Sequence, residues 1–154
     1  MKYVKEAGKR RNCFICEAAK LENYEEKYVL FKGKKTILLM NLYPYNTGHL
    51  LAAPLKHVPS IEDLSDDELA ALFKLVSSAI KILRKAFNPD GFNVGVNLGR
   101  AAGAGLEEHV HVHIVPRWVG DTNFMPVVAE TKVLPEALPD TYRRLRRYSN
   151  LLRE

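Results

Sequence analysis

The stretch His109-Val110-His111-Val112-His113-Ile114-Val115, H-V-H-V-H-I-V, decides how the chain is read. Side chains on a strand alternate between faces, so the three histidines share one face at steps of about 6.6 Å while Val110, Val112 and Ile114 take the other. A strand over residues 109–118 with an apolar back and an imidazole front follows. Three of the chain's five histidines stand in this strict alternation, which surface decoration explains poorly. Two chemistries fit. Imidazole is the commonest metal ligand, and it can also attack an electrophile, carry it covalently and release it to a second acceptor. Phosphoryl transfer suits the second chemistry, because it asks mainly for an in-line nucleophile and for donors around the phosphate oxygens. Donors lie just upstream: residues 99–105 hold three glycines and three alanines, so backbone N–H groups can approach an anion without hindrance.

Outward from this strand the pattern stays readable. Phe92, Val94, Val96 and Leu98 alternate with Asn93, Gly95, Asn97 and Gly99, which predicts a strand whose small polar face is open to a ligand. Nearer the start, three short strands at 28–31, 36–41 and 49–55 form a meander, with turns at Gly33 and at 44–48. Ser65 and Glu68 have capping-box spacing. Behind them Leu69, Leu72, Phe73, Val76, Ile80, Leu83 and Phe87 recur at helical intervals until Asn88-Pro89-Asp90-Gly91 stops them. Residues 120–126 read as a loop and residues 140–153 as a basic terminal helix. The expectation is α+β: a mainly antiparallel sheet of about five strands, one long helix packed on it, and a C-terminal helix.

The chain of 154 residues fits one domain, 1–154, and its 47% hydrophobic and 27% charged residues exclude a disordered polymer. No apolar run reaches membrane-spanning length, and the basic residues 1–11 precede no signal-peptide core, so a cytoplasmic location without membrane contact is expected. Cys13-Phe14-Ile15-Cys16 is a C-x-x-C pair, which inside cells binds metal or does redox work, or is simply two reduced thiols. A redox pair normally opens a helix after a strand, and no strand pattern precedes Cys13. Lysine and arginine exceed aspartate and glutamate by 23 to 18, a net +5 that favours anionic ligands. Arg143, Arg144, Arg146, Arg147 and Arg153 could neutralise nucleic-acid phosphates, but a solvated helix face or dimer contact explains them more simply. Nucleic acid is not the expected partner.

The H-V-H-V-H-I-V at 109–115 matches the signature of the histidine triad (HIT) family of nucleotide hydrolases and transferases. T-G-H-L-L-A-A-P-L-K-H at 47–57 resembles that family's second landmark, and the resemblance runs from C-F-I-C to P-R-W-V-G-D-T-N-F-M-P at 116–126. The last stretch is similar to one branch, the bacterial diadenosine tetraphosphate phosphorylases. The resemblance implies a HIT-like fold with His111 as nucleophile on the α-phosphate, His113 assisting the leaving group and His49 supporting from a neighbouring strand. It places Asn41 at the ribose hydroxyls, with Leu42 and Trp118 among the nucleotide contacts and Asn97 near the phosphate. Asn41 reads equally as a strand-end turn former. Many members carry a glutamine before the first histidine. This sequence has none, so the amides of Ala104, Gly105 and Leu106 take its place.

Zinc-containing members combine two cysteines with two histidines, which implies a closed, structural zinc site at Cys13, Cys16, His57 and His109. The implied partners are a nucleotide, inorganic phosphate and a second copy of the chain, with sheets joined across a twofold axis. The implied reaction is phosphorolysis of diadenosine tetraphosphate to ADP and ATP, with Arg100 and Arg117 offered as holders of the second anion. Hydrolysis of dinucleoside polyphosphates or nucleoside phosphoramidates is the first alternative. A non-catalytic nucleotide-binding module is the second, and the intact middle histidine weighs against it.

Overall fold

A computed structural model describes residues 13–122, 128 and 136–154. The basic start at 1–11 and the 123–126 part of the expected loop lie outside the described residues. Five strands form one antiparallel sheet: β1 (Val29–Lys32), β2 (Thr36–Met40), β3 (Leu50–Pro54), β4 (Gly91–Val96) and β5 (Val112–Arg117). Their order is β1-β2-β3-β5-β4, so the first three are the expected meander and β5 inserts between β3 and β4. Among the described residues the α-helices with defined bounds are α1 (Phe14–Lys20), α2 (Asp66–Phe87) and α3 (Leu138–Arg146).

Strand alternation sorts the sheet into two faces. Leu38, Met40, Leu50, Ala52, Val112 and Ile114 pack with Leu72, Leu75, Ala79, Ile82 and Leu83 of α2 and with Tyr142 and Leu145 of α3. Full burial of each large apolar side chain stabilises by about 1.5–3 kcal/mol, so this face is the principal core. Ile37, Leu39, Leu51 and Ala53 point the other way, under Ile15 and Ala18 of α1. Leu51 stands opposite His113 and Leu50 opposite Ile114. His113 therefore emerges on the α1 face while its neighbour Ile114, fully buried, anchors β5 to α2. Gly95 pairs with His113 and Asn93 with Val115, so the small polar face of β4 lies beside the histidines, as its sequence pattern required.

Local chemistry sets the element ends. Ser65 and Glu68 form the full capping box that opens α2, and Asn88, left-handed at φ 46°, closes it. Gly48 has φ +79°, and a Cβ there would lie 3.1 Å from Leu83 Cδ2, so the turn into β3 demands glycine.

Three features depart from the sequence reading. Regular β5 begins at Val112, so His109 and His111 precede it: pairing with β3 ends at Ala52 and Val112, and Val110 N–H donates to the Val58 carbonyl instead. The terminal helix is Leu138–Arg146, followed by a 3-10 turn at Ser149–Leu151, in place of one helix over 140–153. Backbone bonds from Arg153 to Ser78 Oγ and from the Thr36 N–H to the Glu154 carboxylate pull the chain end away from the helix axis. Helix α1 was not foreseen, since seven residues carry too little periodicity to read; Cys13 is its N-cap. Among the described residues no helix is long and apolar enough to cross a membrane.

Ile114→Ala is expected to cost about 2–5 kcal/mol by leaving a cavity under β5, and Ser65→Ala about 1 kcal/mol through the lost cap. Denaturant unfolding measures both. An Ile114→Ala loss no larger than that of Ser65→Ala would show that the α2 face does not hold β5.

Candidate active site and metal centre

Hydrogen-bond partners fix the protonation pattern of the histidines. His111 Nδ1 lies 2.9 Å from the His109 carbonyl oxygen, which can only accept. Nδ1 therefore carries the proton and Nε2 keeps a free lone pair. His49 Nδ1 accepts from the Tyr45 backbone N–H at 3.0 Å and from Asn41 Nδ2 at 3.3 Å. Its proton thus sits on Nε2, which donates to His113 Nδ1 at 3.0 Å. His113 in turn holds its proton on Nε2. The His111 and His113 ring centroids are 4.9 Å apart. A bare nitrogen beside a ring N–H donor can attack an electrophile on one side and release a proton on the other.

Burial keeps these rings neutral. His49 is pushed down to about 3 by burial and then by the neighbouring His113 and His111. His113 is pushed down to about 4 by burial and by His111. Burial also lowers His111, against the opposing pull of its bond to the His109 carbonyl. Tyr45 stacks on His113 at 5.8 Å and lies 4.6 Å from His49, while Phe14 meets His111 edge-on at 6.4 Å. Neither aromatic was singled out from sequence. Tyr45 falls among turn residues just before T-G-H, and Phe14 reads only as the spacer of C-x-x-C.

Cys13, Cys16, His57 and His109 form a cluster able to coordinate a metal ion, their ligand atoms lying within 4.8 Å of one another. Cys13 Sγ is 3.2 Å from His109 Nδ1, and Cys16 Sγ is 3.3 Å from His57 Nδ1. A tetrahedral ion with zinc's usual bond lengths spaces sulfur and nitrogen ligands about 3.6 Å apart, so the cluster fits. His109 Nε2 donates to the Pro54 carbonyl at 2.8 Å, which leaves Nδ1 as the ligand atom and supplies the outer-shell bond such ligands need. Burial and then the adjacent Cys13 hold the Cys16 thiol up at about 11, a cost that a bound dication reverses. The C-x-x-C pair does open a helix, yet its partners are histidines.

The other expected contacts are spread around this centre. Asn41 Oδ1 accepts from the Tyr43 N–H at 2.9 Å, so the turn-forming reading of Asn41 is realised while its Nδ2 serves His49. Leu42 is 47% exposed, and Asn97, just past β4, is half-buried. Gly105 is exposed, Ala104 half-buried, and the Leu106 side chain packs on the α1-side apolar cluster. Trp118 is half-buried at the end of β5. Arg117 is not a free anion holder: one edge of its guanidinium group, Nε and a terminal nitrogen, meets Asp121 at 2.7 Å each, and the other terminal nitrogen donates to Asn93 Oδ1 at 2.6 Å. The arginines of α3 are similarly occupied, Arg144 with Glu136 at 2.7 Å, Arg143 with Asp140, and Arg146 with the Leu30 carbonyl.

A family model for the HIT domain matches residues 22–119. The AP-4-A phosphorylase of Mycobacterium tuberculosis (strain CDC 1551 / Oshkosh) is 48% identical over 121 residues, covering 79% of this chain and 62% of that protein. The chain thus spans less than two thirds of that relative's length. The bis(5'-adenosyl)-triphosphatase of Dictyostelium discoideum is 30% identical over 125 residues, 81% of this chain and 83% of that one. A Zn-bound histidine triad family protein of Mycobacterium smegmatis shares the fold with a TM-score of 0.73, at 21% identity over 90% of this chain and 94% of that one.

Metal analysis of the purified protein is expected to find about one zinc per chain, because two thiolates and two imidazoles form a closed set that suits it. Cys16→Ser should lose most of that metal; an unchanged metal content would sink the assignment.

The neutral rings also predict an acid-side loss of stability. Between the ordinary histidine value of 6.5 and about 3, unfolded His49 binds a proton that folded His49 refuses. Stability therefore rises with pH across that window and is constant above it, with a limiting slope of about 1.4 kcal/mol per pH unit for each such group. His49→Gln should flatten the stability curve between pH 6.5 and 4 relative to wild type. Equal slopes in the two proteins would refute the buried neutral state.

Proposed function

The chain belongs to the HIT domain family, and from that premise we propose that it transfers a nucleotidyl group through His111, cleaving diadenosine tetraphosphate and similar dinucleoside polyphosphates by phosphorolysis. The observation that carries the reading is the bond from His111 Nδ1 to the His109 carbonyl, which leaves Nε2 as an unprotonated nucleophile. In the proposed first step Nε2 forms a bond to an α-phosphorus in line with the bridging oxygen to the β-phosphate. That P–O bond breaks, His113 Nε2–H supplies the proton, and ATP leaves. Inorganic phosphate then attacks the same phosphorus, the N–P bond breaks, its proton returns to His113, and ADP leaves.

Several features support the arrangement. Amides at Ala104, Gly105 and Leu106, with Asn97, would face the α-phosphate oxygens, and Asn41, Leu42 and Trp118 the nucleoside. An added Cβ at Gly95 would meet nothing within 4 Å, so there is open space beside His113. Phosphate as acceptor is favoured by the 48% identity to a protein named AP-4-A phosphorylase. With Arg117 engaged by Asp121, Arg100, exposed and without an ion pair among the described residues, is the remaining cation for a second anion. The likeness to a bis(5'-adenosyl)-triphosphatase favours the second reading, in which water is the acceptor and the products are AMP and ATP. A homodimer joined through β4 fits the open outer edge of that strand, where Val94 is 42% exposed. Two free cysteines and a metal cluster suit the reducing cytoplasm.

Chromatography of products from diadenosine tetraphosphate, with and without phosphate, tests the reading. ADP and ATP are expected, at a rate that rises with phosphate, and His111→Ala should lower turnover by about a thousandfold or more. AMP and ATP at a phosphate-independent rate would establish hydrolysis, and full activity in His111→Ala would end the covalent mechanism.

A further inference from the structure

The turn between β2 and β3 carries the donor that sets the direction of the His49–His113 pair. Its Tyr45 N–H bonds His49 Nδ1 at 3.0 Å, and its Asn46 carbonyl accepts the His49 N–H at 3.1 Å. Asn46 is only 6% exposed, and its Nδ2 reaches out of the turn twice, to the Pro116 carbonyl at 3.0 Å and to Asp121 Oδ2 at 2.7 Å. Asp121 gathers further donors from the end of β5: Arg117 Nε and an Arg117 terminal nitrogen at 2.7 Å each, and the Trp118 N–H at 3.2 Å. The Thr122 hydroxyl donates to it at 3.2 Å. One carboxylate thus binds the catalytic strand's end to the turn beside the triad.

We propose that Asp121, acting through Asn46, is a positioning residue that holds the Tyr45 amide on His49 and thereby fixes which nitrogen of His113 carries the proton. This rests on the nucleotidyl-transfer reading above for its consequence in catalysis, though not for the geometry. Both hydrogens of Asn46 Nδ2 have acceptors, and without Asp121 one of them has none. A nearly buried amide left half-satisfied reorients to find a partner, and the Tyr45 amide is its chain neighbour. When that amide leaves, only Asn41 Nδ2 at 3.3 Å remains to oppose a proton on His49 Nδ1. A proton there makes His49 Nε2 an acceptor, so His113 must donate from Nδ1 and present a bare Nε2. No proton is gained or lost. The tautomers exchange, and the donor intended for the leaving group disappears. Burial has already removed the charged alternative, since His113 is held down at about 4.

The test uses Asp121→Leu, which removes the acceptor at similar volume, and Asn46→Ala, read by side-chain ¹⁵N spectra of the nucleotide-free protein and by kcat and KM for diadenosine tetraphosphate with phosphate. Wild type should show His49 and His113 as single Nε2–H tautomers. In both variants His113 should become a tautomer mixture, with kcat lower by about ten- to a hundredfold and KM within about twofold, as expected for a misplaced catalytic group. Thr122→Ala, which removes a donor to Asp121 without touching the turn, should leave both tautomers in place. Asp121→Leu removes every acceptor while keeping similar volume, so a failure of Asn46→Ala to fold still leaves one variant that decides. Unmoved tautomers in the variants, with or without a fall in kcat, would overturn the proposal, and moved tautomers with unchanged kcat would overturn its catalytic half. Wild-type protein that turns over no dinucleoside polyphosphate would defeat the nucleotidyl-transfer reading instead, while the spectra still report on Asp121.

Discussion

The two ends of one residue, His109, hold the site together. Its ring, completely buried, offers Nδ1 to Cys13 and Cys16 and ties Nε2 to the Pro54 carbonyl, and its own backbone carbonyl accepts the His111 Nδ1 proton. Any constraint on the ring is therefore a constraint on the atom that orients His111. This explains why the metal-ligand cluster and the candidate nucleophile are two residues apart. Strand geometry alone would send both side chains to one face at a fixed interval, but here the chain is released from the ladder before Val112 and the two rings take different partners. The cluster reaches across the sequence to α1 and to His57, so two distant segments converge on the residue next to His111.

Electrostatically the centre works by tautomers. Burial makes charged imidazole expensive, and for His49 and His113 the neighbouring rings add to that cost. Neutral imidazole is useful only if its single proton sits on the right nitrogen, and that choice is made by backbone groups: the His109 carbonyl for His111 and the Tyr45 amide for His49. Backbone dipoles do not titrate. A site arranged in this way keeps a bare nitrogen and a donor nitrogen side by side across the neutral pH range with no carboxylate bonded directly to the rings of His49, His111 or His113 among the described residues.

Much of this was legible in the sequence, for reasons that differ from part to part. Alternation within 112–114 and 92–96 placed Val112, Ile114, Phe92 and Val96 on the α2 side, because a period of two leaves no freedom once one face is apolar, whereas Val94 and Leu98 of the same pattern are exposed and His109–His111 lie before the ladder. The capping box and N-P-D-G marked α2, being local chemistry that tertiary contacts rarely override. Cys13 and Cys16 were legible as a C-x-x-C pair, but the roles of His49 and His57 came from resemblance, since no spacing rule links residues so far apart. Helix α1 was hidden because seven residues are too few to show a period. Asp121 and Asn46 were hidden for another reason: an aspartate before a threonine and an asparagine in the 44–48 turn read as loop formers, and only the fold shows that they meet at 2.7 Å.

The choice of acceptor is set outside the triad. Water and phosphate would meet the same phosphorus and the same nitrogen, so His111, His113 and His49 cannot discriminate between them. Discrimination then needs a cation or a set of amides that lowers the energy of a second anion, or a shape that admits only a small molecule. Arg117 is withdrawn from that task by Asp121, which takes one edge of its guanidinium group, while Asn93 takes the remaining terminal nitrogen. What remains near the histidines in sequence is the exposed segment around Arg100, Gly103 and Gly105, whose backbone is glycine-rich and whose one strong charge has no partner among the described residues. On the proposed nucleotidyl-transfer reading, His111 would supply the nucleophile, and a difference between phosphate and water as acceptor would have to come from outside the triad, as in the exposed segment around Arg100.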